Sequence, residues 1–223
     1  MKEKYSVKKH LKTDSKMNVI ASAAARLYST KGYRETSMED VAVSAKLSKG
    51  GMYHYFSSKE DILYFILSNF MDSLLEGFEQ DLENIRDPED KIRYIIRHHV
   101  EAYVAHMYSA KVLLNEAYNL SALRISRIKS KEKQYFSTIA EVLSLYVGHR
   151  LNKDILTVVT FNLLGMCNWI YSWYNPKGAI NSEQLSQVIF KNFTRGLLVF
   201  RFFRVFVQYG GMKKDEKADR LRV

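Results

Sequence analysis

Lys49, Gly50, Gly51, Tyr53 and His54 lie within the run LSKGGMYHYF (47–56), between two segments with helical patterning. A lysine, two glycines, a phenol and an imidazole around one short helix suit contact with a polyanion. Helix N-terminal amides hold phosphate, and Gly50 and Gly51 let the backbone approach it closely. The DNA major groove, about 12 Å wide, admits such a helix. Tyr53 and Tyr55 are two apart and cannot share a face. Tyr53 or His54 then meets the phosphate backbone, while Met52, Tyr55 and Phe56 pack inward. Lys59, opening the following helix, is placed to pair with phosphate. These are backbone-binding residue types, which fix register more than base sequence.

The flanking elements are those that would hold such a helix. Ser15 to Thr30 carries Met17, Ile20, Ala24 and Leu27 at spacings of three and four, one apolar helical face. KGY ends it, with Gly32 suited to a left-handed C-terminal position. Ser37 with Asp40 three residues on forms a capping box before a short second helix. Ala42 and Ala45 are small where a crossing helix needs room, and Leu47 is the apolar residue of the turn. Ser48 caps the third helix, and Ser57 or Ser58 a fourth, long one. This is a helix-turn-helix.

Later caps continue the pattern: Asp87 before Pro88, Ser121, Asn152, and Asn181 or Ser182 open helices over about 87–107, 121–148, 153–174 and 182–207, with another at about 109–118. Two prolines, ten glycines and few alternating apolar runs make the chain all-α, with about nine helices. The predicted division is a flexible basic arm (1–13), the helix-turn-helix domain (14–60), a larger helical domain (61–207) and a basic tail (208–223).

Charge separates the same regions. Residues 1–60 carry 12 Lys/Arg against 6 Asp/Glu, residues 61–190 carry 13 against 15, and residues 191–223 carry 9 against 3. Basic ends suit a polyanion, and the near-neutral middle suits another task. The single cysteine, Cys167, sits in an apolar run, which excludes an intrachain disulfide and fits a reducing, cytoplasmic setting. The start has no apolar leader core, and Lys191, Arg195, Arg201 and Arg204 interrupt the apolar stretch 188–207, so a packed helix is expected there and no membrane. His98, His99 and His106 lack metal-site spacing, so no metal is expected. No P-loop, GxGxxG, GxSxG or HExxH is present, and no enzyme is expected.

The run YSTKGYRETSMEDVAVSAKLSKGGMYHYFSSKEDIL resembles the DNA-binding domain of TetR-family transcription regulators, over roughly Lys16 to Leu67. By that resemblance Ser37, Ser48, Lys49, Gly50, Gly51, Tyr53, His54 and Lys59 align with positions that often contact double-stranded operator DNA. Two positions depart from the pattern. Lys46 stands where the turn often has glycine, and a left-handed conformation there would cost about 1 kcal/mol. Gly51 replaces a Thr or Ser, leaving base reading to Lys49, Tyr53 and His54.

The resemblance implies that the remaining helices bind a ligand and form a homodimer. The last helix, apolar nearly all round at Val188, Ile189, Phe193, Leu197, Leu198 and Phe200, suits burial against a twin. The stretches LLNEAYNLS and LLGMCNWIYSWYNPKGAINSEQLSQVIFKNFTRGL are similar to TetR regulators that sense acyl-CoA esters and control fatty-acid degradation. That similarity implies an apolar tunnel and basic groups for the CoA phosphates. Leu113, Leu114, Tyr118, Phe136, Phe161, Leu164 and Trp169 are the tunnel candidates. Arg86, Arg93, Arg97, Arg124 and Arg127 are the phosphate candidates. Asn115 and Asn168 are placed to hydrogen-bond a thioester or pantetheine. Trp169 and Trp173, four apart, share a helical face, as core or as pocket. Acyl-CoA is expected as effector and no cofactor. A multidrug-type sensor is the alternative, for which Glu101 and Glu116 would be the carboxylates.

Overall fold

The computed structural model describes residues 2–149 and 151–202, with side chains over 15–149 and 151–197. Helices fill it, and no strand occurs among the described residues. The elements are α1 (Lys2–Lys31), α2 (Met38–Ser44), α3 (Lys49–Tyr53), α4 (Lys59–Leu75), α5 (Phe78–Asn84), α6 (Pro88–Ala105), α7 (Met107–Glu116), α8 (Ala122–Tyr146), α9 (Lys153–Asn168) and α10 (Ser182–Phe202). Short 3-10 turns follow α7 and α9, at Ala117–Asn119 and Trp169–Ser172.

The expected caps are in place. Ser37 and Asp40 exchange hydrogen bonds in a full capping box, Ser48 accepts from the Gly51 amide, and Ser58 accepts from the Asp61 amide. Asp87 caps α6 ahead of Pro88, and Asn152 caps α9. Such caps satisfy amides that have no intrahelical partner, each contributing about 1 kcal/mol.

Four expectations change. The first helix begins at Lys2, not Ser15; no proline or glycine interrupts residues 2–31, so nothing ends the helix inside the supposed arm. A short helix not expected, α5, follows the long fourth one, because Gly77 adopts φ 70° and lets the chain start anew behind it. Ser121 does not cap α8 with its side chain; its amide donates to Glu60 instead, 2.9 Å away. The helix expected over 153–174 ends at Asn168 and tightens into a 3-10 turn. The tail over 208–223, the end of the last helix beyond Phe202, and the Leu198 and Phe200 side chains lie outside the described residues.

One core runs through the chain. Ile20, Ala24 and Tyr28 of α1 meet Val41 and Ala42 of α2, Met52 of α3 and Ile62 of α4, all buried. The same α1 packs against α7, and α4 packs against α8, so the helix-turn-helix shares its supports with the larger domain. Beyond them, α6 is clasped between α8 and α10.

Candidate DNA interface and effector cavity

The turn between α2 and α3 is held by backbone bonds from Lys46 to Val43 and from Leu47 to Ala42, and Lys46 takes φ 57°. The left-handed turn expected at Lys46 is therefore present. Met52 and Phe56 are buried and Tyr55 half-buried, which turns Lys49, Tyr53 and His54 outward. A Cβ on Gly51 would stand 3.1 Å from the Ser48 hydroxyl, whereas one on Gly50 would meet open space. Gly51 thus serves the cap, and Gly50 leaves the outer surface low. The Ser37 and Ser48 hydroxyls accept from backbone amides, and that of Ser37 also lies against the Asp40 carboxylate.

Ser37, Lys49, Tyr53 and Lys59 line one groove of about 530 Å³ between α2 and α3. Arg34, which the sequence reading passed over, lines it too; a basic residue three before a capping serine was the available signal. Lys59 is already engaged. Its ammonium donates to the Tyr33 and Arg34 carbonyls at 2.9 and 3.1 Å and lies 4.6 Å from the Tyr33 ring centre. It therefore closes the loop before α2, with one ammonium proton not used by those two bonds. Asp40 accepts from the Ser37 amide and from Lys31 at 2.9 Å, and these bonds hold its carboxyl down to about 2.

The larger domain encloses a cavity of about 480 Å³. Met71 and Leu74 of α4, His99 and Tyr103 of α6, and Leu113 and Leu114 of α7 form part of its wall. Glu132, Lys133, Tyr135 and Phe136 of α8 with Phe161, Leu164, Gly165 and Asn168 of α9 complete it. Phe136 and Phe161 pack at 4.8 Å between ring centres, and the exposure of Phe161 places that pair at the mouth. Of the expected residues, the fold brings together Leu113, Leu114, Phe136, Phe161, Leu164 and Asn168.

Of its polar floor only Asn168 was expected; His99, Tyr103 and Tyr135 were not. His99 is buried, stacks on Tyr103 at 4.3 Å, and bonds to the Tyr135 hydroxyl at 3.3 Å and to Asn168 Oδ1 at 3.0 Å. Burial lowers the imidazole to about 3, so it is neutral at physiological pH. Burial likewise raises the Tyr103 and Tyr135 phenols and pushes the Cys167 thiol up to about 12. Glu132 lies at the solvent-facing wall, yet its packed surroundings raise its carboxyl above the ordinary value.

The remaining expected ligand residues stand elsewhere, for definite reasons. Arg124 is not free for a CoA phosphate. Its guanidinium bonds Asp61, lies 3.7 Å from Glu60 and stands over the Tyr64 ring. Burial alone would raise the Asp61 carboxyl, but the Arg124 bond outweighs it and leaves the carboxyl below the ordinary value. Arg93 lies 3.9 Å from the Phe190 ring centre and pairs with Glu89 and Asp90. Arg97 rests beside Tyr94, and Arg86 and Arg127 are exposed away from the cavity wall.

Tyr118 is 67% exposed and takes Arg34 over its ring, while Arg34 Nε donates to Asn119. It bridges the two domains rather than lining a tunnel. Asn115 donates to the Lys111 carbonyl and the Tyr171 hydroxyl. Trp169 and Trp173, 62% and 59% exposed, are neither core nor cavity, because the 3-10 turn breaks the spacing of four that would align them. Glu101 is exposed, and Glu116 is occupied by Asn119.

One helical stretch, Lys153–Ser172, is long and apolar enough by length and composition to cross a membrane, with only 28% of its apolar window buried. The expectation of no membrane had rested on a different segment. In this fold one face of α9 enters the core through Val159, Leu163 and Cys167, while Val158 and Phe161 face outward. No cluster of three or more metal-ligating side chains occurs among the described residues.

Residues 20–64 match the bacterial regulatory proteins of the tetR family, and residues 86–197 match the tetracyclin repressor-like C-terminal domain. The HTH-type transcriptional repressor KstR2 of Mycobacterium tuberculosis is 24% identical over 177 residues, covering 78% of this chain and 88% of that protein. The fatty acid metabolism regulator protein of Bacillus subtilis is 24% identical over 129 residues, covering 58% of this chain and 61% of that one. The crystal structure of AibR in complex with isovaleryl coenzyme A and operator DNA superimposes with a TM-score of 0.68 at 28% identity, covering 78% of this chain and 96% of that one. The chain belongs to the tetR family of bacterial regulatory proteins, and is a helix-turn-helix transcription regulator rather than an enzyme.

Proposed function

We propose that this protein is a cytoplasmic repressor that binds a palindromic operator as a homodimer and is released by a fatty acyl-CoA, so controlling genes of fatty-acid degradation. The observation that carries this reading is the apolar cavity. It is lined by α4 and α8, and those two helices are locked to each other at the edge of the DNA-binding unit by Arg124, Asp61 and Glu60. A ligand that spreads α8 from α4 moves the support of α3. Coupling then equals the difference in ligand affinity between the two arrangements.

The cavity walls suit an acyl chain, and the volume is in the range of small-molecule sites. Lys133 is the cation at the wall, and it replaces the expected arginine set as the first contact for a CoA phosphate. The named functions of the Bacillus regulator and of AibR support the choice of effector. The outward apolar residues of α9 and α10, Val158 and Val188, supply a face for a second copy, which would also set two recognition helices one DNA turn apart.

A second reading keeps the repressor and changes the effector. Glu132 places a carboxylate in the cavity wall, which suits a cationic aromatic compound. Titration of the protein–operator complex with dodecanoyl-CoA and with a cationic dye separates the two. Release by the thioester supports the first reading, and release by the dye alone supports the second.

A further inference from the structure

The structure assigns to this cavity a reader for a neutral carbonyl: the Asn168 amide, aimed by a Tyr135–His99 relay, donates to a ligand C=O within otherwise apolar walls. This rests on the effector reading above and specifies what the ligand must carry besides an apolar chain.

The direction of each hydrogen bond follows from proton counting. Tyr135 is buried, and His99 Nδ1, 3.3 Å away, is its one hydrogen-bond partner among the described residues. A buried phenol with one partner donates to it, since otherwise its proton would be stranded at a cost of about 1–3 kcal/mol. Nδ1 is therefore an acceptor, and the single proton of the neutral ring sits on Nε2. Nε2–H then donates to Asn168 Oδ1 at 3.0 Å. With its oxygen taken, the Asn168 side chain turns its NH2 group away from His99. That nitrogen has no partner among the described residues, and Asn168 lines the cavity.

A second donor faces the same space. Tyr103 is 3% exposed, lines the cavity, and its hydroxyl has no hydrogen-bond partner among the described residues. Two unpaired donors in a wall of Met71, Leu74, Leu113 and Leu164 call for an acceptor on the ligand. A neutral carbonyl fits better than a carboxylate, because Glu132 and Lys133, of opposite sign, both stand at the solvent-exposed side of the wall, and no cationic side chain lies among the buried lining residues to pair with an anion. A thioester, a ketone or an amide supplies such an acceptor. A plain hydrocarbon or a thioether does not.

The test compares S-dodecanoyl-CoA with S-dodecyl-CoA, the thioether that lacks only the carbonyl oxygen, by titration calorimetry on the full chain. The thioester should bind about tenfold more tightly, because the thioether leaves the donors unpaired. Equal affinity overturns the proposal. Asn168→Leu should collapse that ratio. His99→Leu should collapse it too, while His99→Gln, which can still accept from Tyr135 and donate to Asn168, should keep it. A merely structural role for His99 would weaken both ligands together and leave the ratio intact. If neither CoA compound binds, the acyl-CoA reading fails. The uncharged pair methyl octyl ketone and decane then decides the carbonyl claim, and a ketone binding no more tightly overturns it. Nitrogen-15 histidine spectra of the ligand-free protein must also show His99 protonated at Nε2. Protonation at Nδ1 would reverse the relay and refute it.

Discussion

Removing the Arg124 side chain is expected to uncouple the two halves of the molecule before it unfolds either. The guanidinium bonds Asp61, approaches Glu60 at 3.7 Å, and covers Tyr64. The three side chains are 26–32% exposed, so the contact is partly screened. A charge-assisted bond of this kind, with Asp61 left behind in a half-buried site, is worth about 1–2 kcal/mol. For a chain of this size Arg124→Ala should lower Tm by about 3–6 °C in thermal unfolding followed by circular dichroism. Asp61 is held below the ordinary carboxylate value, so this contribution is present at neutral pH and disappears as pH falls through its folded value. The Tm difference between wild type and Arg124→Ala should therefore shrink in acid. The functional consequence is larger. Position 124 and the cavity residues Glu132, Tyr135 and Phe136 are 8 to 12 residues apart on one helix, about 12–18 Å. Without the latch, ligand at the cavity end should weaken DNA binding several-fold less than in wild type. A cycle with Asp61→Asn should return an interaction of about 1 kcal/mol. Unchanged Tm together with an unchanged ligand effect on operator affinity would refute the latch.

Three further outcomes follow from the same contacts. Lys49→Ala should weaken operator binding about uniformly across sequence variants and reduce the salt slope of log K by about 1, read from anisotropy at several salt concentrations; an unchanged slope would remove Lys49 from the phosphate set. Lys46→Gly should stabilise the fold by about 0.5–1 kcal/mol in urea unfolding, since φ 57° strains lysine and not glycine, and a loss of stability would contradict that account. Val158→Asp with Val188→Asp should convert a dimer to monomers in sedimentation experiments. A dimer that survives both changes would place the interface elsewhere.

The helix-turn-helix was legible because its signals are local. Ser37 with Asp40 and the Ser48 cap involve partners within three residues and formed as the spacing implied, while the left-handed turn at Lys46 followed the family resemblance against the preference of lysine. The cavity was half legible. Leu113, Phe136, Phe161 and Leu164 are apolar residues on helix faces, but Met71 and Leu74 look like any core of α4 until α8 and α9 are set opposite them. His99 was within reach: it continues the buried stripe of Ile92, Ile95 and Ile96 at helical spacing, which puts an imidazole in the core. Its partners, Tyr135 and Asn168, lie 36 and 69 residues away and could not be read from spacing. The arginines show the same limit. Sequence gives a charge but not its counter-ion, and Arg124 found Asp61 across 63 residues. The Trp169–Trp173 pairing failed because a helix that tightens to 3-10 no longer brings residues four apart together.

Anisotropy of the DNA fragment upstream of this gene, bound by the protein and titrated with dodecanoyl-CoA and with dodecanoate at fixed salt, tests the central claim most directly. The account predicts tight binding and release by the CoA ester alone. Tight binding that neither compound disturbs would contradict the acyl-CoA effector.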